Sequence, residues 1–346
     1  MTSPTEAAAA PDERTPYAGL SPHVVLDALD AVGLRGDGRL LQLNSYENRV
    51  FQVHLEDGPV VVAKFYRAGR WRDEQILEEH GFAHELAAAE VPAVAPLALH
   101  AVDPDARVSG TPGTLAHWQG WRYGVSPRCG GRSPELDDLE VLAWIGRFLG
   151  RLHAVGRQGR FRHRPVLDGA GPARAAVDWL ATQDLLPPGG GEVWASVARQ
   201  ALDMAQARFD AVTPALQRLH GDCHVGNLLW TPAGPHFVDL DDCLSGPAVQ
   251  DLWMLLSGSR QEMQRQLGAL LDGYETFSEL DRRELALIEP LRTLRLVQHC
   301  AWVAKRWDDP AFPVAFPGFA NPSWWEQQAT QLREQLEAMS DEPLVA

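Results

Sequence analysis

The sequence predicts an α+β fold in two lobes, with an N-terminal antiparallel sheet plus one helix and a mainly helical C-terminal lobe. Three observations carry this prediction. Between residues 40 and 66 short apolar segments read as strands around a polar bend and a turn. From Glu135 onward apolar residues recur at helical spacing over long stretches. Between these regimes lies Ser126-Pro-Arg-Cys-Gly-Gly131, a glycine-containing stretch suited to an inter-lobe hinge. The expected division is a disordered tail over 1–19, an N-terminal lobe over 20–127 and a C-terminal lobe over 128–346. With 346 residues and 45% hydrophobic content, the chain can bury a substantial core.

Taken in order, residues 1–19 are rich in Ala, Pro and Thr without a period. Ser21-Pro22 then supplies an N-cap and a first-turn proline, and Val24, Val25, Leu26, Leu29 and Val32 continue at helical spacing to Gly33. Strands are expected within Leu40–Leu55, on either side of Asn44-Ser-Tyr-Glu-Asn-Arg49, and over Val60–Tyr66 after the turn at Glu56-Asp-Gly-Pro59. The bend within the first pair forms a flap suited to nucleotide phosphates, although it lacks the usual glycines. A helix over Arg72–Ala89 carries Ile76, Leu77, Phe82 and Leu86 on one side, with Glu79 at the edge of that face and Glu78 beside it. Strands follow at about Ala95–Leu99 and Trp121–Val125. A long helix runs through Leu139, Leu142, Ile145, Leu149 and Leu152, and further helices are expected at about 172–183, 191–210, 247–258, 260–275, 281–306 and 323–339. The last opens with the capping box Ser323-Trp-Trp-Glu326, and Pro187–Gly191 reads as a surface turn.

The most informative segment is Leu219-His-Gly-Asp-Cys-His-Val-Gly-Asn227, continued by His236-Phe-Val-Asp-Leu-Asp-Asp242. Asp222, Asn227 and Asp239 are the side chains a phosphoryl-transfer site needs. Its anionic transition state calls for divalent metal held by hard oxygens, and Asn227 and Asp239 offer an amide oxygen and a carboxylate. The acceptor hydroxyl needs a separate carboxylate to orient it and take its proton, a role that Asp222 fits. Leu228–Trp230 and His236–Val238 flank Thr231–Pro235 as a hairpin, which fixes the offset between Asn227 and Asp239. For Asp222 alone, a helix-capping residue in an ordinary acidic loop is an equal reading. His220, Asp222, Cys223, His224 and His236 could also serve zinc, but no second Cys pair supports that set.

Composition narrows the partners. Of 31 basic residues only Lys64 and Lys305 are lysine, which leaves 29 arginines. Lys64 ends the apolar run Pro59-Val-Val-Val-Ala63, where a compact ammonium suits phosphate oxygens better than a planar fork. A partnering carboxylate at Glu79 or Glu78 would hold it in place. The formal charge of -15 argues against nucleic acid or an anionic membrane surface as partner. The four cysteines form no Cys-x-x-Cys pair, the first ten residues lack the charged-then-apolar layout expected of a signal peptide, and no apolar run reaches transmembrane length. A cytoplasmic monomer is expected.

Together Asp222, Asn227, Asp239, Lys64 and Glu79 resemble the protein-kinase-like fold in its aminoglycoside and choline phosphotransferase branch. The strings from Leu219 to Asn227, Val238-Asp-Leu-Asp-Asp242, Gly246-Pro-Ala-Val-Gln-Asp-Leu-Trp-Met254, Asn44-Ser-Tyr-Glu-Asn-Arg-Val50 and Ile76-Leu-Glu-Glu-His80 are more narrowly similar to the bacterial stress-response kinase A family. The resemblance spans about residues 40 to 255. It implies ATP- and magnesium-dependent phosphorylation of serine or threonine in proteins, tied to stress. It also implies Asp222 as proton acceptor, Asn227 and Asp239 as magnesium ligands, Lys64 and Ser45 as ATP contacts, and Asp251 as a brace for the catalytic loop. Two departures from better-known protein kinases stand out: Gly221 replaces an arginine, and only a few residues separate Asp239 from Gly246-Pro247. A phosphorylation-controlled activation segment is therefore not expected.

The same three residues would serve a small-molecule kinase acting on an aminoglycoside-, choline- or sugar-like hydroxyl. A non-catalytic nucleotide-sensing pseudokinase would need one catalytic position replaced, and none is. A serine hydrolase is disfavoured because Gly124-Val-Ser126 lacks the closing glycine of a nucleophile elbow, and there is no Walker or dinucleotide fingerprint.

Overall fold

The computed structural model describes residues 15–183, 185–187 and 189–345. The chain divides into two compact units, Met1–Gly130 and Gly131–Ala346, within the glycine-containing stretch at 126–131. Of the tail expected over 1–19, residues 1–14 lie outside the described residues. Thr15–Gly19 form turns, and the Tyr17 hydroxyl donates to the Glu47 carbonyl at 2.8 Å.

In the first unit α1 (Pro22–Asp30) precedes β1 (Gly36–Leu43), β2 (Arg49–Leu55), β3 (Val60–Phe65), α2 (Asp73–Ala88), β4 (Arg107–Ser109), β5 (Leu115–Trp118) and β6 (Trp121–Pro127). Ser21 caps α1 by accepting from the Val24 amide, with Pro22 in the first turn. The strands form one sheet in the order β1-β2-β3-β6-β5-β4. Its register follows the two-residue period of a strand. Val61, Ala63 and Phe65 of β3 share a core with Phe51 and Val53 of β2, Tyr123 and Val125 of β6, and Val25 and Leu29 of α1. Each large apolar side chain buried in this way contributes about 1.5–3 kcal/mol. The same period turns Lys64 to the other face, where it meets α2.

The strand expected at Ala95–Leu99 is an extended segment without a ladder. Leu97 and Leu99 donate to the Val125 and Gly113 carbonyls at 2.7 Å, while Pro96 just before them has no N–H to give. β4 and β5, at three and four residues, are too short for alternation to reveal.

The second unit holds α3 (Leu139–Gly156), α4 (Gly171–Ala181), α5 (Gly190–Val212), β7 (Gln217–Leu219), β8 (Leu228–Thr231), β9 (Gly234–Phe237), β10 (Leu244–Gly246), α6 (Gln250–Trp253), α7 (Arg260–Tyr274), α8 (Ile288–Ala304), α9 (Ala311–Ala315) and α10 (Pro322–Ser340). The helix expected at 281–306 splits into a 3-10 segment, Arg282–Leu287, and α8. Pro290 cannot donate to the Ala286 carbonyl, so the α-helical ladder starts near it. α10 begins at Pro322 with Asn321 as N-cap, so Ser323 lies inside the helix and does not cap it. A reciprocal capping box does form at α7, between Ser259 and Glu262. The helix expected at 247–258 shrinks to α6, ahead of Gly258 at φ 90°. Of the turn expected at 187–191, Gly190 and Gly191 open α5, and Pro188 lies outside the described residues.

α3 and α7 cross at backbone contact. A Cβ on Gly146 would sit 2.0 Å from the Leu270 carbonyl oxygen, and one on Gly273 would sit 1.9 Å from that of Ala143. Glycine at these positions therefore sets how near the helices come, and so where His153 of α3 and Tyr274 of α7 lie. Gly146→Ala or Gly273→Ala is expected to destabilise the protein by about 1–3 kcal/mol through overpacking. Denaturant unfolding would measure this, and an alanine variant as stable as the parent would contradict the close crossing.

Candidate active site

In the second unit β7 leads into a loop whose first two amides are taken by one buried carboxylate. Asp251 Oδ2 accepts from the His220 amide and Oδ1 from the Gly221 amide, both at 2.8 Å. His153 Nε2 lies 3.0 Å from Oδ2, and its Nδ1 lies 2.9 Å from the Tyr274 hydroxyl. Asp251 and His153 are both fully buried, and a carboxylate in that position is tolerated only when its lone pairs are satisfied. Gly221 adopts φ 85°, and a Cβ there would lie 2.2 Å from the Asp242 carbonyl. An arginine cannot occupy this backbone, which explains that departure from better-known kinases.

The loop then presents Asp222. Its Oδ1 accepts from Arg295 Nη1 of α8 at 2.5 Å, and its Oδ2 lies 3.4 Å from both His224 Nε2 and Asn227 Nδ2. Asn227 Nδ2 also donates to the Asp222 carbonyl at 3.0 Å. Burial by itself would raise the Asp222 carboxyl, but hydrogen bonding and charge from His224 and Arg295 outweigh it and hold the group well below the usual carboxylate range. Asp222 is therefore ionised at neutral pH.

The hairpin forms as expected, with Leu228 opposite Phe237, Thr231 opposite Gly234, and Pro232-Ala233 as its two-residue loop. The Val238 amide donates to the Asn227 carbonyl at 3.1 Å, which extends the register one step beyond β8 and β9. Asp239 is the next residue, at φ 58° and ψ 65°. That left-handed conformation is uncommon outside glycine, and Asp tolerates it better than most residues. β10 then pairs back onto β7, Leu244 opposite Leu219, so the chain between Asp239 and Gly246 is a 3-10 turn and a short strand. The Asn227 amino group is committed to Asp222, and its amide oxygen and the Asp239 carboxylate are hard oxygens of the kind that could hold magnesium. Among the described residues no three His, Cys, Asp or Glu side chains converge as a metal cage of their own, the five considered for zinc included.

In the first unit Lys64 Nζ lies 3.1 Å from Glu79 Oε1, so the partner on α2 is Glu79. Ser45 is half-buried in the loop between β1 and β2. That loop is held without glycines. Asn48 Oδ1 accepts from the Arg67 amide at 3.2 Å, Arg67 Nε donates to the Glu47 carbonyl at 3.0 Å, and Arg70 pairs with the Glu47 carboxylate at 2.9 Å.

Over residues 39–288 the sequence matches the model of the phosphotransferase enzyme family. Stress response kinase A of Salmonella choleraesuis is 42% identical over 333 residues, covering 96% of this chain and 98% of the relative. The same coverage and identity hold for a Salmonella typhimurium protein named serine/threonine protein kinase RdoA. The Escherichia coli stress response kinase A is 42% identical over 325 residues, 94% of this chain and 95% of the relative. The chain belongs to the phosphotransferase enzyme family and is a kinase. Among solved structures, amicoumacin kinase hAmiN superposes with a TM-score of 0.68 at 17% identity, covering 93% of this chain and 94% of that one. Spectinomycin phosphotransferase superposes with a TM-score of 0.62 at 12% identity, covering 90% and 98%. These likenesses establish the α+β phosphotransferase fold. No helix among the described residues is long and apolar enough to cross a membrane.

Sequence reasoning about this phosphotransferase misses three side chains that touch the loop. His153 reads as an ordinary core histidine on an apolar helix, and His224 reads only as a metal-ligand candidate. Arg295 is one arginine among 29, and it reaches Asp222 across 73 residues. No spacing rule could have singled it out.

Asp251→Ala is expected to cost about 3–5 kcal/mol, because it removes the acceptor shared by two amides and an imidazole. Urea unfolding would measure it, and a loss under one kcal/mol would mean that the loop is held otherwise. Glu284 gives a pH signature in the same region, since its Oε2 accepts from the Val249 amide at 3.0 Å and burial pushes its carboxyl up to about 7. Between its ordinary value of 4.5 and about 7 the unfolded chain has lost a proton that the folded chain keeps. Stability therefore falls as pH rises through that window, and the loss is complete above it. Glu284→Gln should flatten the melting temperature against pH there, whereas an unchanged slope would assign the titration to another group.

Proposed function

We propose that this kinase transfers the γ-phosphoryl group of magnesium-bound ATP to serine or threonine hydroxyls of proteins, as part of a stress response. The observation that carries the acceptor class is the 42% identity, over 96% of the chain, to proteins named stress response kinase A and serine/threonine protein kinase RdoA. The geometry supports the chemistry. Asp222, held ionised and placed by the Asp251-braced loop, would accept the proton of the acceptor hydroxyl. Lys64, fixed by Glu79, would contact the ATP phosphates, with Ser45 in the flap above them. Asn227 and Asp239 would hold magnesium, which when bound spreads the negative charge of the transferring group. The short tied segment from Asp239 to Gly246 leaves no stretch for a phosphorylation-controlled activation loop, so activity should not require an upstream kinase.

Two variants separate these roles. Asp222→Asn should lower phosphate transfer by about 10²–10⁴-fold with little change in nucleotide affinity, as expected for loss of a general base. Asp239→Ala should instead weaken magnesium-dependent nucleotide binding, read by titration calorimetry with and without the metal. Wild-type turnover in Asp222→Asn would remove the base assignment. The acceptor class is tested by mass spectrometry after incubation with ATP and magnesium, offering a mixed protein extract against a panel of amino alcohols, sugars and aminoglycosides. Phosphate on small molecules alone would replace the protein-kinase reading, and phosphate on neither would favour a nucleotide sensor.

A further inference from the structure

We propose that Arg295 is a positioning residue that makes the kinase discriminate between its acceptor and water, by occupying the one oxygen of Asp222 that the acceptor must reach. This inference rests on Asp222 being the base. The two oxygens of that carboxylate are held in different ways. Oδ2 faces Asn227 Nδ2 and His224 Nε2, both from its own loop. His224 is itself fixed, since its Nδ1 accepts from the Gly226 amide at 2.9 Å, which leaves the proton on Nε2 and directs it at Asp222. Both partners are also tied to the backbone of that loop, His224 to the Gly226 amide and Asn227 to the Asp222 carbonyl.

Oδ1 is different. Its partner is the guanidinium of Arg295, at the end of a long side chain that is 49% exposed and anchored on α8. Such a side chain can change rotamer while helix and loop stay in place. An oxygen that accepts a charge-assisted bond from Arg295 cannot also receive a hydroxyl proton along the same direction. Oδ1 is thus the oxygen for catalysis, and Arg295 must leave it first.

Water and a protein acceptor differ in their power to displace it. In either reaction the attacking oxygen bonds to the γ-phosphorus as the bond to the β-phosphate oxygen breaks. The electron pair leaves with ADP, and the attacking group's proton passes to Asp222. A water molecule brings no further contacts, whereas an acceptor segment brings binding energy from parts remote from the reacting hydroxyl. Arg295 therefore slows transfer to water more than transfer to the acceptor. A half-exposed pair is modest in strength, so the discrimination is a factor of about three to five.

The test compares the full chain with Arg295→Met and Arg295→Lys. ADP release is followed without any acceptor, and phosphate transfer is followed over a titration of dephosphorylated casein as a generic protein acceptor. Arg295→Met should raise acceptor-independent ADP release about three- to fivefold and lower the KM for casein, with Arg295→Lys close to the parent. ADP release that stays flat or falls in a folded Arg295→Met protein overturns the inference. Should Arg295→Met fail to fold, Arg295→Gln supplies the same comparison. Asp222→Asn in the same assays keeps the two readings apart. If it retains both reactions, the base assignment itself fails. If it loses both while the arginine variants leave ADP release unchanged, only the role of Arg295 is lost.

Discussion

Asp251 holds a negative charge at zero exposure, and the loop it serves has little freedom to be anything else. Burying a carboxylate is costly unless its lone pairs are filled, and here they are filled by two consecutive amides and one imidazole. Displacing any one donor leaves the charge short, so the backbone at His220 and Gly221 is over-determined. The dependence runs further back. Gly146 and Gly273 let α3 and α7 touch, the crossing brings Tyr274 to His153, and His153 completes the shell of Asp251. Asp222 inherits its position from that series of contacts.

Around Asp222 the electrostatics follow the same logic. Partial burial works against its charge, while His224 from its own loop and Arg295 from α8 work for it, and together they win. The metal-ligand candidates are set differently, by a hairpin whose two-residue loop locks the register so that Asn227 lies opposite Val238 and Asp239 comes next. In this chain one part of the loop geometry thus rests on a buried carboxylate and the other on strand pairing. In the first unit the loop between β1 and β2 is held by side chains and contains no glycine. Arg67 and Arg70 hold the carbonyl and carboxylate of Glu47, which fixes the bend that carries Ser45.

What the sequence determined by itself is whatever depends on short-range period and spacing. Alternation in β3 buries Val61, Ala63 and Phe65 and sends Lys64 the other way, and the helical period of α2 brings Glu79 to it, although it could not choose between Glu78 and Glu79 beforehand. The turn between Trp230 and His236 and the places of Asn227 and Asp239 were readable for the same reason: a hairpin is a local object. Relatives that match nearly the whole chain extend this likeness well beyond the motifs at residues 40 to 255.

Tertiary structure alone decided the rest. β4 and β5 are too short to show a period, and Pro290 and Pro322 moved helix starts that apolar spacing had placed elsewhere. Asp251 receives its donors from α3 and from the loop after β7, and Arg295 meets Asp222 from 73 residues away. Such contacts leave no trace in local pattern, because a hydrogen bond constrains the distance between two atoms and places no condition on the chain between them.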